Sequence, residues 1–425
     1  MTISMERLGQ AVERDAAIRR VQKLQPVGGP GDKIFPPTYP GARNTDPARH
    51  VFETRRINGK DVRCVLIDSV QSQANRLEEA LSEALRDGRL AMPHFVVDFQ
   101  GQKASLSLSA DGKDVEFGSG TEYDLSDVGA ANSGEITSLE APHRVFDAII
   151  RDSELQGQRF DETPLFETLL KARPQFAVPM FEVAPTSLLF GAWHSTGKGG
   201  GLGAKFARCI VSEIVGVDVS VDPESKQWDG QKVASRIDPL GIRASAKVIG
   251  GPVDWIVAKS ERGKGAKRPS EINHSNIAPS VVPGGVTVDH ALHTAVITCA
   301  GLRRLKFPGT ADETAGRAVL AAMGLVALAE QDSAGYPLRS RCDLVCDGRA
   351  PFEIVRPDGT TEEFEIDADA AAALFEEAVD EAKKAGFPWN EQPIRLTPQP
   401  RLVQLVALSR AKALAGETEA EDTGG

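Results

Sequence analysis

The sequence predicts an α+β fold, with a core of modest size that long loops elaborate. Strand-like runs alternate with segments of helical periodicity: VRCVLIDSV (62–70) leads directly into a segment in which Leu77, Leu81 and Leu85 recur every four residues. Long polar stretches rich in glycine and proline separate these elements. Loops of this length in a compact protein are usually functional or disordered.

The elements follow in order along the chain. A first helix is predicted over residues 4–24, up to the breaker QPVGGPGDK, and residues 93–139 resemble a β-rich insertion. Further helices are predicted at 141–150, 162–173, 204–216, 316–331, 370–386 and 401–414, and further strands at the start of 177–191, at 245–250, at 253–258 and at the start of 286–307.

We predict one domain over residues 1–360, with inserted loops at about 93–139 and 259–286, followed by a helical extension over 361–425 that ends in an acidic, disordered tail. The chain has no apolar run long enough to cross a bilayer, and its N-terminus has no apolar signal region. A cytoplasmic protein without a membrane partner is therefore expected. Five cysteines, an odd number without paired spacing, predict reduced and mostly buried thiols.

The net charge of −11 argues at first against a nucleic-acid partner. However, residues 361–425 hold 14 acids and 6 bases, so the first 360 residues carry only −3. Affinity for a polyanion depends on local cations more than on total charge. The body of the chain can therefore still bind nucleic acid.

The most informative motif is FGAWHSTGKGGGLGAKFAR (190–208), which combines glycines with aromatic, imidazole and cationic side chains. Glycines let backbone N–H groups approach an anion closely, and the helix predicted over 204–216 would add the positive end of its dipole. The candidate phosphate-binding residues of this motif are Trp193, His194, Lys198, Lys205 and Arg208.

The spacing of this motif disfavours a bound nucleotide. Five residues separate Gly191 from Gly197, where a P-loop has four, and Lys198 is followed by Gly199 instead of a hydroxyl residue that binds magnesium. A dinucleotide fingerprint is no better supported by the spacing of the later glycines. Two interpretations remain open: a glycine loop without a ligand, and a loop that binds an extended polyanion.

Three other segments offer cations or amides. At the junction before the helix that contains Leu77, Ser72 is a candidate helix cap, while the remaining polar side chains are suited to phosphate and 2′-hydroxyl oxygens. The loop 259–274 and the patch after the strand near residue 298 are either solvated surface or phosphate contacts. The candidate residues of these segments are Gln71, Gln73, Asn75, Arg76, Lys264, Lys267, Arg268, Arg303 and Arg304.

Catalytic and metal motifs are not found. The chain has no G-x-S-x-G elbow, no H-E-x-x-H and no acid cluster with metal spacing, and a triad around His194 and Ser195 lacks an identifiable acid. His290 and His293 lie in a strand-like run, so their side chains point to opposite faces. We therefore expect no enzyme activity, no cofactor and no metal, with a nucleotide-binding enzyme as an alternative.

Several sequence blocks resemble the backbone subunit of type I-U (also called I-G) CRISPR interference complexes, a repeat-associated mysterious protein (RAMP). The blocks are FPPTYPG, VLIDSVQSQANRLEEAL, TSLLFGAWHSTG, GAKFARCIVSEIVG, KRPSEINHSNIAPS, GGVTVDH and LRSRCDL, and they run from Phe35 to Leu344. The acidic C-terminal extension lies outside them.

This resemblance implies an RNA-recognition-motif-like (ferredoxin-like) core with large insertions. It implies that copies stack head-to-tail in a helical filament along CRISPR RNA and present the guide to target DNA in antiviral defence, together with other CRISPR effector subunits. The glycine-rich loop and the polar junction match the corresponding family segments. An endoribonuclease that cuts target RNA with a loop acid is the alternative from the same superfamily.

Overall fold

The structure is a computed structural model, and it describes residues 2–40, 48–109, 114–195, 203–220, 232–233, 240, 242–243, 245–251, 255–260, 264–272, 274, 280–281 and 285–414. The chain divides into two compact units. Unit 1 comprises Met1–Gln100, Ser126–Ser220 and Val286–Leu402, and unit 2 comprises Gly101–Leu125, Val221–Gly285 and Val403–Gly425. Unit 2 thus draws on parts of both predicted insertions.

Helices and strands alternate along the described residues, which confirms the predicted α+β class. The helices are α1 (Met5–Arg14), α2 (Val70–Arg86), α3 (Ala148–Arg151), α4 (Pro164–Lys171), α5 (Val178–Val183), α6 (Pro185–Phe190), α7 (Cys299–Leu302), α8 (Glu313–Ala334), α9 (Ala368–Lys384) and α10 (Pro400–Leu414). None of the helices in the described part of the chain combines the length and apolar character needed to cross a membrane.

The strands are short outside the central sheet. They are β1 (Ala17–Pro26), β2 (Phe52–Ile57), β3 (Lys60–Asp68), β4 (Phe95–Asp98), β5 (Lys103–Leu108), β6 (Val115–Phe117), β7 (Thr121–Asp124), β8 (Glu135–Thr137), β9 (Ser153–Leu155), β10 (Gln158–Arg159), β11 (Ala192–Trp193), β12 (Lys205–Phe206), β13 (Ile210–Val217), β14 (Lys232–Val233), β15 (Val248–Gly250), β16 (Trp255–Val257), β17 (Ser280–Val281), β18 (His290–Thr298), β19 (Tyr336–Pro337), β20 (Asp343–Cys346), β21 (Phe352–Val355), β22 (Thr361–Phe364) and β23 (Ile394–Pro398).

The central sheet of unit 1 has the strand order β19-β20-β1-β18-β13-β3-β2, and β21 and β22 extend it beside β1. Every neighbouring pair in it is antiparallel. The register pairs Val21 of β1 with Thr294 of β18, and Thr294 with Glu213 of β13. The long strands β1, β18 and β13 therefore form the middle of the sheet.

The predicted first helix is wrong beyond residue 14, because β1 follows α1 directly. Burial alternates along β1, so that Ile18, Arg20, Gln22 and Leu24 are buried while their neighbours are half-buried or exposed. This period of two is the signature of a strand. Two of the buried residues are polar, and the sequence pattern therefore resembled a polar helix face.

One face of the central sheet packs against α2 and α8. Helix α8 is buried along nearly its whole length, because α1, α2, α6 and α9 also contact it. Small side chains permit this close packing; a Cβ on Gly324 would lie 2.8 Å from Ile297 of β18. Asp312 caps the helix by accepting a hydrogen bond from the Thr314 N–H.

A chain of buried polar side chains joins this face of the sheet to α8. Arg20 of β1 forms an ion pair with Asp332 of α8, and both side chains are 1% exposed. The Tyr336 hydroxyl donates to Asp332, and His293 Nδ1 lies 3.1 Å from the same hydroxyl oxygen. Because the Tyr336 proton is directed to the carboxylate, His293 donates its Nδ1–H to the tyrosine.

The same chain continues to α2. Ser212 Oγ lies 2.6 Å from His293 Nε2 and 2.9 Å from Gln73 Oε1, so its single proton has two acceptors. Gln73 Nε2 donates to Asp68 at 2.7 Å, and Arg76 Nε donates to the same carboxylate oxygen at 3.0 Å. We call this series of hydrogen-bonded side chains the buried polar chain. Its members, in order of contact, are Arg20, Asp332, Tyr336, His293, Ser212, Gln73, Asp68 and Arg76. It connects five strands, β1, β3, β13, β18 and β19, with the helices α2 and α8.

Three further features complete the description of unit 1. A second sheet has the order β10-β9-β23-β4-β8. Residues 178–190, predicted as strand and loop, instead form α5 and α6; a proline near the start of each helix favours this conformation. Residues 204–216, predicted as a helix, instead form β12 and most of β13.

Unit 2 has its own small core. Strands β6, β5 and β7 form a sheet, and Leu106 packs with Ala407 and Ala411 of α10. Two antiparallel strand pairs, β14 with β17 and β15 with β16, belong to the same unit. The residues 415–425, which include most of the predicted acidic tail, lie outside the described residues.

All five cysteines are described and have free thiols, four of them buried, as the sequence predicts. Burial raises the pKa of Cys209 to about 11 and the pKa values of Cys299 and Cys342 to about 12. These thiols are therefore protonated at neutral pH.

The buried polar chain predicts an acid-sensitive fold. Burial lowers the pKa of His293 to about 3, and the charge of Arg20 adds to this shift. The unfolded chain, in which the imidazole has a pKa of about 6.5, binds a proton that the folded chain excludes. The contribution of His293 is complete above pH 6.5 and decreases by about 1.4 kcal/mol per pH unit as the pH falls towards 3.

Denaturant unfolding of the wild type and of His293→Gln at pH 7, 6 and 5 measures this contribution. We expect the variant to be less stable at pH 7 but to lose less free energy of unfolding on acidification. Parallel pH profiles of the two proteins would contradict the assignment.

Candidate nucleic-acid interface

The polar junction between β3 and α2 is only partly exposed. Ser69, and not Ser72, caps α2 by accepting the Ser72 N–H. Of the predicted contacts, Gln71 and Asn75 are exposed, and they lie four residues apart on one face of the helix. These two side chains are available to a ligand.

The other two predicted residues of this junction have structural partners. Gln73 is fully buried within the buried polar chain, so it cannot reach RNA from its position. Arg76 is half-buried; besides Asp68 it donates to the Leu338 carbonyl oxygen at 2.6 Å. The amide residue types suggested nucleic-acid contacts, but burial decides their role.

The glycine-rich motif begins at the end of α6. Gly191 has φ 85° and ψ 151°, a conformation that favours glycine, and a Cβ there would lie 3.1 Å from the Phe206 carbonyl oxygen. The chain then forms a short hairpin in which Trp193 pairs with Lys205. Residues 196–202 of its loop, including the predicted contact Lys198, lie outside the described residues.

The motif does not precede a helix, so the predicted dipole contribution is wrong. Residues 210–217 form β13, in which Ile210, Ser212 and Ile214 are buried towards α2 and α8 while Val211 is exposed. Alternation and β-branched residues favour a strand here. Any phosphate contact of this motif must come from side chains and from the hairpin backbone.

Trp193 and Lys205 form the exposed centre of the site. Trp193 is 54% exposed, and Lys205 Nζ lies 5.0 Å from the centroid of its ring, within the range of a cation–π contact. The pair presents an aromatic face and a positive charge side by side. This combination binds the bases and the phosphates of a single strand without reading its sequence.

His194, the next residue, has a structural role in this arrangement. Its side chain is 2% exposed, and its ring lies 5.2 Å from that of Phe146 and 5.8 Å from that of Phe166. Gly203 permits the close approach of the second hairpin strand, because a Cβ there would lie 2.7 Å from the imidazole. The predicted contact of His194 with RNA therefore has no exposed surface to support it.

A buried ion pair anchors the hairpin to α2. Arg144 donates to both carboxylate oxygens of Glu78 at 2.6 Å, and its Nη1 donates to the Gly191 carbonyl oxygen at 3.0 Å. Arg208 adds a hydrogen bond of 3.2 Å from Nε to the Phe190 carbonyl oxygen. The predicted contact Arg208 thus holds the same turn, and it is only half-buried.

The electrostatics of this anchor are set by burial. Burial raises the pKa of Glu78 to about 7, although Arg144 opposes this shift. Burial and the charge of Arg144 lower the pKa of Arg208. Sequence reasoning missed Arg144, which has a φ of 53° in a segment predicted as a helix, and no signal in the sequence links it to Glu78.

The remaining predicted contacts lie in separate places. Arg303 is half-buried and donates to the carbonyl oxygens of Val12 and Asp15, whereas Arg304 is exposed. Lys264, Lys267 and Arg268 are exposed and belong to unit 2. Unit 1 therefore brings together the glycine-rich hairpin and α2, but not all of the predicted cations.

No group of three histidine, cysteine or carboxylate side chains suited to a metal ion occurs in the described part of the chain. As predicted, His290 and His293 lie on opposite faces of β18, and only His293 is fully buried.

Comparison with known proteins identifies the class of this chain. Residues 18–221 match a family of CRISPR-associated proteins, and this match spans β1, α2 and the glycine-rich hairpin. The protein is therefore CRISPR-associated and has a role in CRISPR defence. The matched family is described as CRISPR-associated protein GSU0053, and this match confirms the resemblance found in the sequence. No curated protein matches the chain.

Because the ion pair of Arg144 and Glu78 fixes the turn at Gly191, we expect a substitution at Gly191 to destabilise the fold. Gly191→Ala is expected to destabilise the fold by about 1–3 kcal/mol, because alanine is strained at this positive φ and its Cβ would crowd Phe206 and Arg208. Thermal or denaturant unfolding measures the change. Gly9→Ala in α1 is the matched control, since its Cβ has no neighbour within 4 Å and a helical alanine should be neutral or stabilising. Equal stabilities of the two variants would refute the strain argument.

Proposed function

We propose that this chain is a non-catalytic backbone subunit of a type I-U (I-G) CRISPR effector complex. It binds CRISPR RNA, stacks head-to-tail with its own copies and presents the guide to target DNA alongside other effector subunits. The family match supports the CRISPR setting. The observation that carries the RNA-binding role is the exposed pair of Trp193 and Lys205 at the base of the glycine-rich loop.

The topology of the sheet supports an RNA-recognition-motif-like core. Strand β1, helix α2, strands β13 and β18, helix α8 and the strands β20 and β21 succeed one another along the chain. Their order in the sheet is β20 or β21, then β1, β18 and β13, all antiparallel. This order agrees with the one expected of a ferredoxin-like fold, with the hairpin β2–β3 added at one edge.

The face of the central sheet opposite α2 and α8 indicates that RNA contacts lie beside the sheet and not on it. Val21 and Val211, which point away from α2 and α8, are each 42% exposed. The central strands β1 and β18, both described completely, contain no phenylalanine, tyrosine or tryptophan. RNA-recognition motifs stack bases on aromatic residues of this face. We therefore place base stacking at Trp193 of the hairpin.

Contacts that accept any guide must avoid base edges. Lys205 can pair with a phosphate, and the exposed amides of Gln71 and Asn75 can bind phosphate and sugar oxygens. None of these contacts reads a base pair. A backbone subunit must bind RNA independently of its sequence, because each spacer has a different sequence.

Binding to single-stranded RNA tests the role of the hairpin. In fluorescence anisotropy with several unrelated RNA oligomers, Trp193→Ala should weaken binding by about tenfold for every sequence, because stacking contributes about 1–3 kcal/mol per base. Lys205→Ala should also lower the slope of log affinity against log salt by about 0.7. Lys60→Ala, at an exposed cation of β3, is the control. Sequence-selective losses, or no loss, would refute backbone binding at this hairpin.

Co-purification tests the assembly. Protein expressed with a CRISPR array should carry RNA and form large particles, and protein expressed without the array should have little absorbance from nucleic acid. Equal RNA content and particle size in the two preparations would count against a guide-dependent stack. Metal-dependent cleavage of RNA bound to the assembled particles would contradict the non-catalytic role.

A further inference from the structure

Two of the sequence blocks have no place in the proposed site, yet unit 1 brings them together. The Phe35 N–H donates to the Arg341 carbonyl oxygen at 2.9 Å. The Arg341 guanidinium lies over the Phe35 ring, 4.4 Å from its centroid. The proline-rich block at residues 35–40 thus packs on the turn at residues 338–342, which we call the arginine turn.

The arginine turn has a restrained backbone. The Cys342 N–H donates to the Arg339 carbonyl oxygen at 2.8 Å, and Arg341 has a φ of 59°, in the left-handed region that favours glycine. A left-handed arginine costs about 1 kcal/mol relative to an ordinary conformation. Arg76 holds the turn through its bond to the Leu338 carbonyl oxygen, so the buried polar chain fixes this turn in place.

The side chains of Arg339 and Arg341 are exposed. Among the described residues, neither guanidinium forms a hydrogen bond or an ion pair, whereas Arg20, Arg76 and Arg144 all pair with carboxylates. The Arg341 N–H groups are therefore available for the two parallel hydrogen bonds that a planar guanidinium can donate. A strained backbone that presents such a side chain suggests a ligand.

The neighbouring surface adds an aromatic ring and further cations. Tyr39 is 36% exposed, and its backbone pairs with that of the exposed Arg49 through hydrogen bonds of 2.8 and 3.0 Å. Lys33 and Arg341 share a small cavity with the carboxylates of Asp32 and Asp343. Among the described residues of these segments, four cations, Lys33, Arg49, Arg339 and Arg341, accompany the two carboxylates of Asp32 and Asp343.

We propose that the arginine turn is a second binding site for the phosphodiester backbone of single-stranded RNA, in which Arg339 and Arg341 hold phosphates and Tyr39 stacks on a base. This inference rests on the proposed function, since it assigns a further contact to the same RNA strand. Planar guanidinium groups beside an exposed aromatic ring fit a nucleotide chain better than an acidic peptide, which offers no base to stack.

Helix α2 lies between the two sites. Arg76 contacts the arginine turn, and Glu78 anchors the glycine-rich hairpin through Arg144. Side chains two residues apart on a helix point about 200° apart, and a helix is about 10 Å wide. One RNA strand must therefore be longer to contact both sites than to contact either site alone.

The length of the RNA provides the test. For oligouridylates of increasing length, the wild type should gain affinity until the strand reaches both sites. Arg339→Ala combined with Arg341→Ala should bind the longest oligomer about tenfold more weakly, as expected for two lost solvent-exposed ion pairs. The affinity of this double variant should also stop rising at the length at which the wild type begins to contact the second site. Its salt slope should fall by about 1.4, or about 0.7 for each phosphate released.

Two controls separate binding from folding. Arg341→Gly removes the guanidinium but relieves the left-handed backbone, so its melting temperature should equal or exceed that of the wild type while RNA binding weakens. Arg63→Ala changes another exposed arginine, on β3, and should leave RNA binding unaltered. Normal RNA binding by a stable Arg341→Gly protein would overturn the proposal.

The outcomes also separate this inference from the proposed function. If the wild type binds no RNA, both fail. If Lys205→Ala weakens binding but the double arginine variant retains the full length dependence, only the second site fails. If the double variant instead lowers self-association in the absence of RNA, the arginine turn binds an acidic surface of another copy, and the assignment to RNA is overturned.

Discussion

The buried polar chain is the constraint on which unit 1 depends. It begins at the ion pair of Arg20 and Asp332, passes through His293 and ends at Arg76 of α2, on the same face of the sheet as α8. Each member forms a hydrogen bond with the next, and such bonds are strong in a low-dielectric interior. Removing one member of a buried ion pair typically costs about 3–5 kcal/mol, because the other charge remains buried without a partner. The chain therefore fixes α2 and α8 on the sheet in one register.

This constraint also explains why the two proposed RNA contacts lie on either side of α2. On one side of α2, Arg76 donates a second hydrogen bond, to the Leu338 carbonyl oxygen of the arginine turn. On the other side of α2, Glu78 binds Arg144, and Arg144 donates a hydrogen bond to the Gly191 carbonyl oxygen. Exposed groups gain precision when buried partners fix their backbone. Interior residues that contact no RNA thus determine where the proposed contacts lie.

The sequence predicted those elements whose hydrophobic period is clear. Helix α2 is predicted from Leu77, Leu81 and Leu85, and β18 lies in the strand-like run that the sequence predicts after residue 286. The errors lie where polar side chains are buried: Arg20 and Gln22 of β1 imitated the polar face of a helix. Likewise, Ser212 and Glu213 interrupt the apolar run of β13, and the sequence pattern therefore predicts one helix where β12 and β13 lie. Periodicity cannot distinguish a buried arginine from an exposed one.

The sequence predicts those residues of the candidate site whose side-chain type suits RNA and whose side chains are exposed. It does not predict the residues that only tertiary contacts bring to the site. Trp193 and Lys205 were identified from composition, and they are exposed together in one hairpin. Gln73 and His194 have suitable side chains but are buried. Glu78 and Arg144 are 66 residues apart, and only the fold unites them. A local pattern contains no information about such a contact.

The charges of unit 1 explain how an acidic chain can be proposed to bind a polyanion. Many of its described arginines are neutralised within the fold, for example Arg20, Arg76 and Arg144, and these contribute little field to an approaching phosphate. The cations that matter are exposed and carry no carboxylate partner among the described residues, namely Lys205 beside Trp193 and the pair Arg339 and Arg341. Affinity for RNA follows the number of phosphates that such groups can reach. A net charge of −11, concentrated towards the C-terminus, is therefore compatible with local positive sites on both sides of α2.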